Sequence, residues 1–218
     1  MMVHKPKILI LVGPPGAGKT TYAEAIIKRN HFKLLSAGQL LRDFAKGKSS
    51  SAQKLAAILE KGVLAPHAIT NRLLGKALQD GAPGFILDGF PRAMPQVRFL
   101  ESFRKKRNWP PAILVQIKTA SSIVIQRLSS RVYCPKGGEP FILPQKVCPK
   151  HKVKLLRRPD DEPKAIKKRL QIYRSNIKPI IKFYQKRGKV ISVRSVGTNT
   201  VVQNVKIIIA ALEKHGLL

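Results

Sequence analysis

Gly13-Pro14-Pro15-Gly16-Ala17-Gly18-Lys19-Thr20 follows the pattern GxxxxGK[ST], directly after an apolar run and directly before a helical segment, Thr21 to Arg29. Residues of these types in this order suit phosphate chemistry. Glycines let successive backbone N–H groups curl round an anion, the helix that follows aims its positive N-terminus at it, and a lysine reaches the outer phosphates. Gly16, Ala17, Gly18, Lys19, Thr20 and Thr21 are therefore candidates for holding a nucleoside triphosphate. Thr20 stands where the motif sets a hydroxyl beside Mg²⁺, and Thr21 offers a second hydroxyl. The plainer reading, a glycine turn that caps a helix and binds nothing, leaves the strand-loop-helix context unexplained.

Asp88-Gly89-Phe90-Pro91-Arg92 closes a second apolar run. A carboxylate at a strand end can hold Mg²⁺ through its waters, and the guanidinium of Arg92 can grip a phosphate. Taken alone, an Asp-Gly pair there is simply a turn. Its company is Ser36-Ala37-Gly38-Gln39-Leu40-Leu41-Arg42 after another run, and Arg158-Pro159-Asp160-Asp161 shortly before Lys168-Arg169-Leu170.

The elements that must position these residues follow from the hydrophobic pattern. Lys7 to Val12, Phe32 to Leu35, Phe85 to Leu87, Ala112 to Ile117 and Val190 to Val193 are short apolar runs, each separated from the next by at least one helical pattern. Strands alternating with helices, with no hairpin turn between them, predict an α/β fold with a parallel sheet flanked by helices. Two stretches leave the alternation. Residues 36 to 83 read as helix after helix, and residues 130 to 161 are rich in Pro, Gly and Lys with no long periodicity. Both read as excursions from one core.

The 218 residues carry 42 Lys+Arg against 11 Asp+Glu, a net charge of +31, with 44% hydrophobic residues. A disordered polycation could not supply that apolar content, so the chain folds. Residues 127 to 189 alone hold 19 Lys/Arg against 4 Asp/Glu. Such a balance suits polyphosphate substrates, nucleic acid or an acidic membrane surface equally. Aromatic residues make up only 6% and no RNP-type motif or zinc-finger array is present, which weakens the nucleic-acid reading without removing it. No apolar run approaches the roughly 20 residues that span a bilayer. Two cysteines, Cys134 and Cys148, are too few for a disulfide framework, and the N-terminus has no signal-peptide pattern, so a cytoplasmic location is expected.

GPPGAGKTT, SAGQLLR, DGFPRAMPQ, QRLSSR and RRPDD followed by KKRL occur in one order along nearly the whole chain. In this the sequence resembles the adenylate kinase family of nucleoside monophosphate kinases, in its long-lid form. The resemblance implies a P-loop core of residues 1–35, 65–129 and 162–218, a monophosphate-binding segment 36–64 and a lid 130–161. It implies transfer of the ATP γ-phosphoryl group to AMP with Mg²⁺ by a monomer. The catalytic cations would be Lys19, Arg92, Arg131, Arg158 and Arg169. Arg127, Arg131 and Asn199 would join the P-loop in holding ATP. AMP would be held by Ala37, Arg42, Gly62, Val63, Leu64, Gly89, Phe90, Pro91, Arg92, Gln96, Arg158 and Arg169. Asp160 and Asp161 would orient lid arginines, and Thr20 and Asp88 would serve Mg²⁺, the latter through water. Seven cations then have assigned work, and most of the +31 does not. That surplus fits a solvent adaptation or a weak polyanion affinity.

The sequence departs from the family pattern in three places. Ala37 stands where adenylate kinases usually have a threonine, a likeness to the uridylate-cytidylate kinases, which resemble this chain at Ser36-Ala37-Gly38, while Gln96 keeps an amide able to read an adenine edge. AMP is the expected acceptor, with CMP or UMP the alternative. Thr20 replaces the family's usual glycine after the lysine. In the lid, Cys134-Pro135-Lys136-Gly137 and Cys148-Pro149-Lys150-His151 resemble a zinc ribbon with Cys134, Cys148 and His151 as ligands and glycine in the fourth place. Structural zinc takes four ligands, so Glu139 or water would complete the site. A decayed metal-free site and a disulfide are the alternatives. The remaining histidines, His4, His31, His67 and His215, are isolated and suggest nothing.

Overall fold

The computed structural model describes residues 5–29, 31–158, 161–195 and 200–218. Its central sheet contains β1 (Lys7–Val12), β2 (Lys33–Ser36), β3 (Gly84–Asp88), β4 (Ile113–Lys118) and β7 (Val190–Arg194). All neighbours run parallel, in the order β2-β3-β1-β4-β7. The expected α/β class is thereby met, with strand ends shifted by a residue or so.

The strands read as unbroken apolar runs because both faces of the sheet are covered. On one face Ile8, Ile10, Val12, Phe85, Leu87 and Leu114 pack against helices α4 (His67–Ala77), α5 (Met94–Lys105) and α7 (Pro163–Gln185). On the other, Leu9, Leu11, Ile86, Val115 and Ile117 pack against α1 (Lys19–Ile27) and α8 (Val201–Lys214). Alternate residues of β1 thus serve opposite layers, and each fully buried Leu or Ile contributes about 1.5–3 kcal/mol. Leu9, Ile10 and Leu11 are wholly inaccessible, so the loop after β1 springs from the middle of the core.

Between β2 and β3 the chain is helical, as expected, with α2 (Ala37–Ala45), α3 (Ser50–Glu60) and α4 in succession. Ser36 ends β2 and its hydroxyl accepts the N–H of Gln39, so one residue both stops the strand and caps the next helix. After α6 (Ser121–Ser129) the Pro/Gly/Lys-rich stretch has regular structure that its irregular pattern does not announce. β5 (Arg131–Tyr133) and β6 (Pro140–Ile142) pair antiparallel. A core of Val132, Cys134, Cys148 and Leu155 closes the unit. Four residues cannot produce a visible period, which is why the sequence read as loop. Among the described residues, no helix is long and apolar enough to cross a membrane.

Candidate functional site

The loop after β1 returns on itself through the Ala17 N–H bond to the Pro14 carbonyl, 3.1 Å. Gly16 and Gly18 have φ of +80° and +85°, conformations that a side chain resists. Gly18 is also the N-cap of α1 and brings no side chain to it, so the first N–H groups of that helix remain available to an anion. The helix begins at Lys19, two residues earlier than expected, which puts Lys19 and Thr20 on its first turn. Lys19 Nζ donates to the carbonyls of Gly13 and Pro14 at 3.0 and 2.9 Å.

Lys19 stands at the floor of a cavity of about 590 Å³ beyond the carboxyl ends of the parallel strands. Although the open mouth leaves it some solvent contact, burial lowers its pKa to about 8. Asp88 opposes that fall, while Arg92, Arg169 and Arg131 add to it. A lysine held down by three arginines marks a place made for negative charge. Thr20 Oγ1 donates to Asp88 Oδ2 at 2.6 Å, joining α1 to the last residue of β3.

The arginines arrive from separate elements. Arg131 Nε and Nη2 donate to the two oxygens of Asp161 at 2.7 and 2.5 Å, and Arg169 Nη1 donates to Asp161 Oδ1 at 3.1 Å. Arg158 Nη2 donates to the Gly138 carbonyl at 3.3 Å, with its guanidinium over the Tyr133 ring at 5.3 Å. Arg92 Nε donates to the Gly89 carbonyl at 2.8 Å. Arg42 Nη2 donates to Gln39 Oε1 at 2.9 Å. Arg127 and Thr21 line the same cavity, as do Gly62, Val63, Leu64, Gly89 and Pro91.

An adjoining cavity of about 490 Å³ is lined by Ala37, Arg42, Leu64, Gln96, Arg158 and Arg169 among others. Gln96 is almost wholly buried. Its Oε1 accepts the Arg92 N–H at 2.6 Å, and Nε2 lies 3.4 Å from His67 Nδ1. A carboxamide has two acceptor and two donor positions, so one of each remains for a ligand.

Two of the nucleotide-contact candidates do not present their side chains to either cavity. Ala17 packs with Ile117 and Tyr22, and Phe90 is buried against Phe99, ring edge to face at 6.4 Å. Only their backbone could serve. Asn199 and Asp160 lie outside the described residues.

In the segment 130–161, the Cys134, Cys148 and His151 ligand atoms lie within 4.8 Å of one another, and both thiols are free and buried. Buried sulfurs and an imidazole converging in this way suit a borderline-soft divalent ion.

Sequence reasoning missed two residues. Gln39 lies three positions before Arg42 on α2, a helical neighbour that spacing could have found. His67 reaches Gln96 across 29 positions, with no local signal to reveal it.

The adenylate kinase family model matches residues 11–189. The chain belongs to the adenylate kinase family. Among its relatives, the adenylate kinase of Thermotoga neapolitana is 36% identical over 216 residues, covering 94% of this chain and 98% of that protein. That of Thermotoga maritima is 34% identical with the same coverage. That of Anaeromyxobacter dehalogenans is 33% identical over 199 residues, 88% of this chain and 93% of its own. The adenylate kinase match thus spans the P-loop and the segment 130–161, and the resemblance drawn from the motifs is correct.

Proposed function

We propose that this chain transfers the γ-phosphoryl group of ATP to AMP, giving two ADP. The observation that carries the reading is the pair of adjoining cavities, one floored by the P-loop and the other walled by Gln96, with Arg92, Arg158 and Arg169 near their junction. Phosphoryl transfer asks the protein for position and neutralised charge rather than a nucleophile. An AMP phosphate oxygen attacks the γ-phosphorus, the bond to the β-bridging oxygen breaks, and ADP departs with that electron pair. Lys19 and the P-loop N–H groups hold the donor phosphates, and Arg127 covers the donor base. By the family resemblance, Asn199 would also contact ATP. Arg92, Arg131, Arg158 and Arg169 surround the migrating group, Arg42 holds the acceptor phosphate, and Gln96 reads the acceptor base.

Thr20 and Asp88 fit Mg²⁺, a hydroxyl and a carboxylate 2.6 Å apart beside the phosphate loop. When bound, the ion would shield the β- and γ-oxygens. The division into a core, a monophosphate segment 36–64 and a lid 130–161 belongs to the same reading, with Asp160 and Asp161 orienting lid arginines. Cys134, Cys148 and His151 would hold a structural Zn²⁺. A cytoplasmic monomer belongs to the same reading.

A coupled assay with AMP, CMP and UMP at equal concentration tests the function. The fastest turnover is expected with AMP, and faster turnover with CMP overturns the choice of acceptor. Lys19→Met is expected to abolish transfer with the fold intact. Wild-type activity in that variant overturns the whole assignment.

A further inference from the structure

The lid folds as two matching turns. In the first, the Gly137 N–H points to Cys134 Sγ at 3.4 Å and the Gly138 N–H bonds the Cys134 carbonyl at 2.8 Å. In the second, the His151 N–H points to Cys148 Sγ at 3.4 Å and the Lys152 N–H bonds the Cys148 carbonyl at 2.9 Å. Gly138 and Lys152 share a positive φ, +75° and +54°. Gly137 is thus the counterpart of His151, and it has no side chain with which to act as one.

Something else occupies that place. A Cβ built on Gly137 would fall within the carboxylate of Glu139. The Glu139 Oε2 atom is buried and has no hydrogen-bond partner. A buried carboxylate oxygen without a donor is costly and calls for a cation. The nearest side-chain nitrogens are His151 Nδ1, 3.9 Å from Oε2, and Lys150 Nζ, 4.0 Å from Oε1.

We propose that Glu139 is the fourth ligand of a tetrahedral metal site with Cys134, Cys148 and His151, in the position that Gly137 has no side chain to fill. The proposal rests on the reading that this lid holds zinc. Ordinary Zn–S, Zn–N and Zn–O lengths put sulfur and nitrogen about 3.5 Å apart, and nitrogen and oxygen about 3.3 Å apart, along the edges of a tetrahedron. His151 Nδ1 lies 3.2 Å from Cys134 Sγ and 3.5 Å from Cys148 Sγ. Glu139 Oε2 lies 3.9 Å from His151 Nδ1 but outside the 4.8 Å group that the other three ligand atoms form, so the carboxylate must swing toward the sulfurs to complete the tetrahedron. Two thiolates and a carboxylate round a divalent ion leave one negative charge, which Lys136, Lys150 and Lys152 on the same turns offset.

The site also bears on the transfer machinery. Gly138 sits between Gly137 and Glu139, and its carbonyl accepts from Arg158. Ligation by Cys134 on one side and Glu139 on the other would fix the peptide that holds this arginine.

The test uses the untagged full chain, loaded with Zn²⁺ and separately with Co²⁺. Zinc content and affinity against a chelator are measured alongside the visible spectrum of the cobalt form. The wild type is expected to bind one equivalent with tetrahedral cobalt bands. Glu139→Gln, nearly isosteric, should weaken affinity at least about tenfold and shift those bands. Gly137→Cys combined with Glu139→Ala should recover the affinity that Glu139→Ala alone loses, because the new side chain enters the space the carboxylate leaves. Glu139→Gln with wild-type affinity and an unchanged cobalt spectrum overturns the fourth ligand while leaving the lid metal standing. Wild-type protein holding less than a tenth of an equivalent overturns both.

Discussion

Arg131 and Asp161 form a two-pronged ion pair across 30 positions of chain, with Asp161 almost wholly buried. The same carboxylate also receives Arg169. One negative charge therefore steadies two of the cations that line the cavity above the P-loop. Asp161→Asn keeps the shape and removes the charge, leaving the two guanidiniums to repel each other. Without nucleotide the variant should lose about 2 kcal/mol in chemical denaturation, less than a fully buried pair because Arg131 reaches cavity solvent. Saturating ATP should shrink the deficit, since the triphosphate resupplies negative charge. An equal deficit with and without ATP would count against the arrangement.

Lys19 leads to a proton-linkage prediction. Its pKa in the folded protein, about 8, lies below the unfolded value near 10.4. The folded state thus binds fewer protons in that interval, so the lysine's penalty on stability is full below pH 8 and is relieved as pH rises toward 10.4. Lys19→Met should stabilise the nucleotide-free protein at pH 7 by on the order of 1–2 kcal/mol, the open cavity moderating the full shift. ATP should recharge the lysine, so binding at pH 8.5 takes up protons. Calorimetry in buffers of differing ionisation enthalpy reads this uptake, which Lys19→Met should remove.

Thr20 and Asp88 act together in the proposed metal role. Asp88→Asn should raise the Mg²⁺ concentration needed for half-maximal rate by about tenfold. Thr20→Ser, which keeps the hydroxyl, should remain near wild type, while Thr20→Val should follow Asp88→Asn. Rates measured across an Mg²⁺ titration at fixed ATP check this, and an unchanged Mg²⁺ requirement in Asp88→Asn would remove Asp88 from the role.

Gln96 is held between the Arg92 N–H and His67. Gln96→Leu should raise KM for AMP by about tenfold or more, as expected for losing a two-point contact with a base edge, with a smaller change in KM for ATP. His67→Ala frees one end of the amide and should produce a milder rise. Steady-state kinetics with each nucleotide varied in turn separates the two effects, and equal changes in both KM values would point to general damage.

The phosphate loop, the parallel strands and the strand-end Asp88 were legible because each depends on residues close in sequence. The apolar runs exposed the doubly covered sheet, since a strand buried on both faces cannot alternate. The bond from Gln96 to His67 was not legible, nor was the burial of Phe90 against Phe99. The Glu139 carboxylate at Gly137 was raised by the sequence only as one option. Each of these depends on how a turn or helix is set against another, which spacing does not encode. The small β5–β6 sheet escaped notice because a four-residue core leaves no periodic trace.

By itself the sequence determined the phosphate-binding loop, because a strand, a glycine loop, a lysine and a helix must be consecutive to cradle a phosphate, while the reaction class came from the resemblance of its motifs to the adenylate kinases. It also determined the sheet, whose strands are local hydrophobic events. The resemblance named a handful of the 42 basic side chains, and only the tertiary structure shows how they converge. Lys19, Arg92, Arg131 and Arg169 come from four different elements, and like charges gather only where the fold supplies a counter-charge such as Asp161. Charge in a sequence is a sum, whereas the field at a phosphate depends on distance.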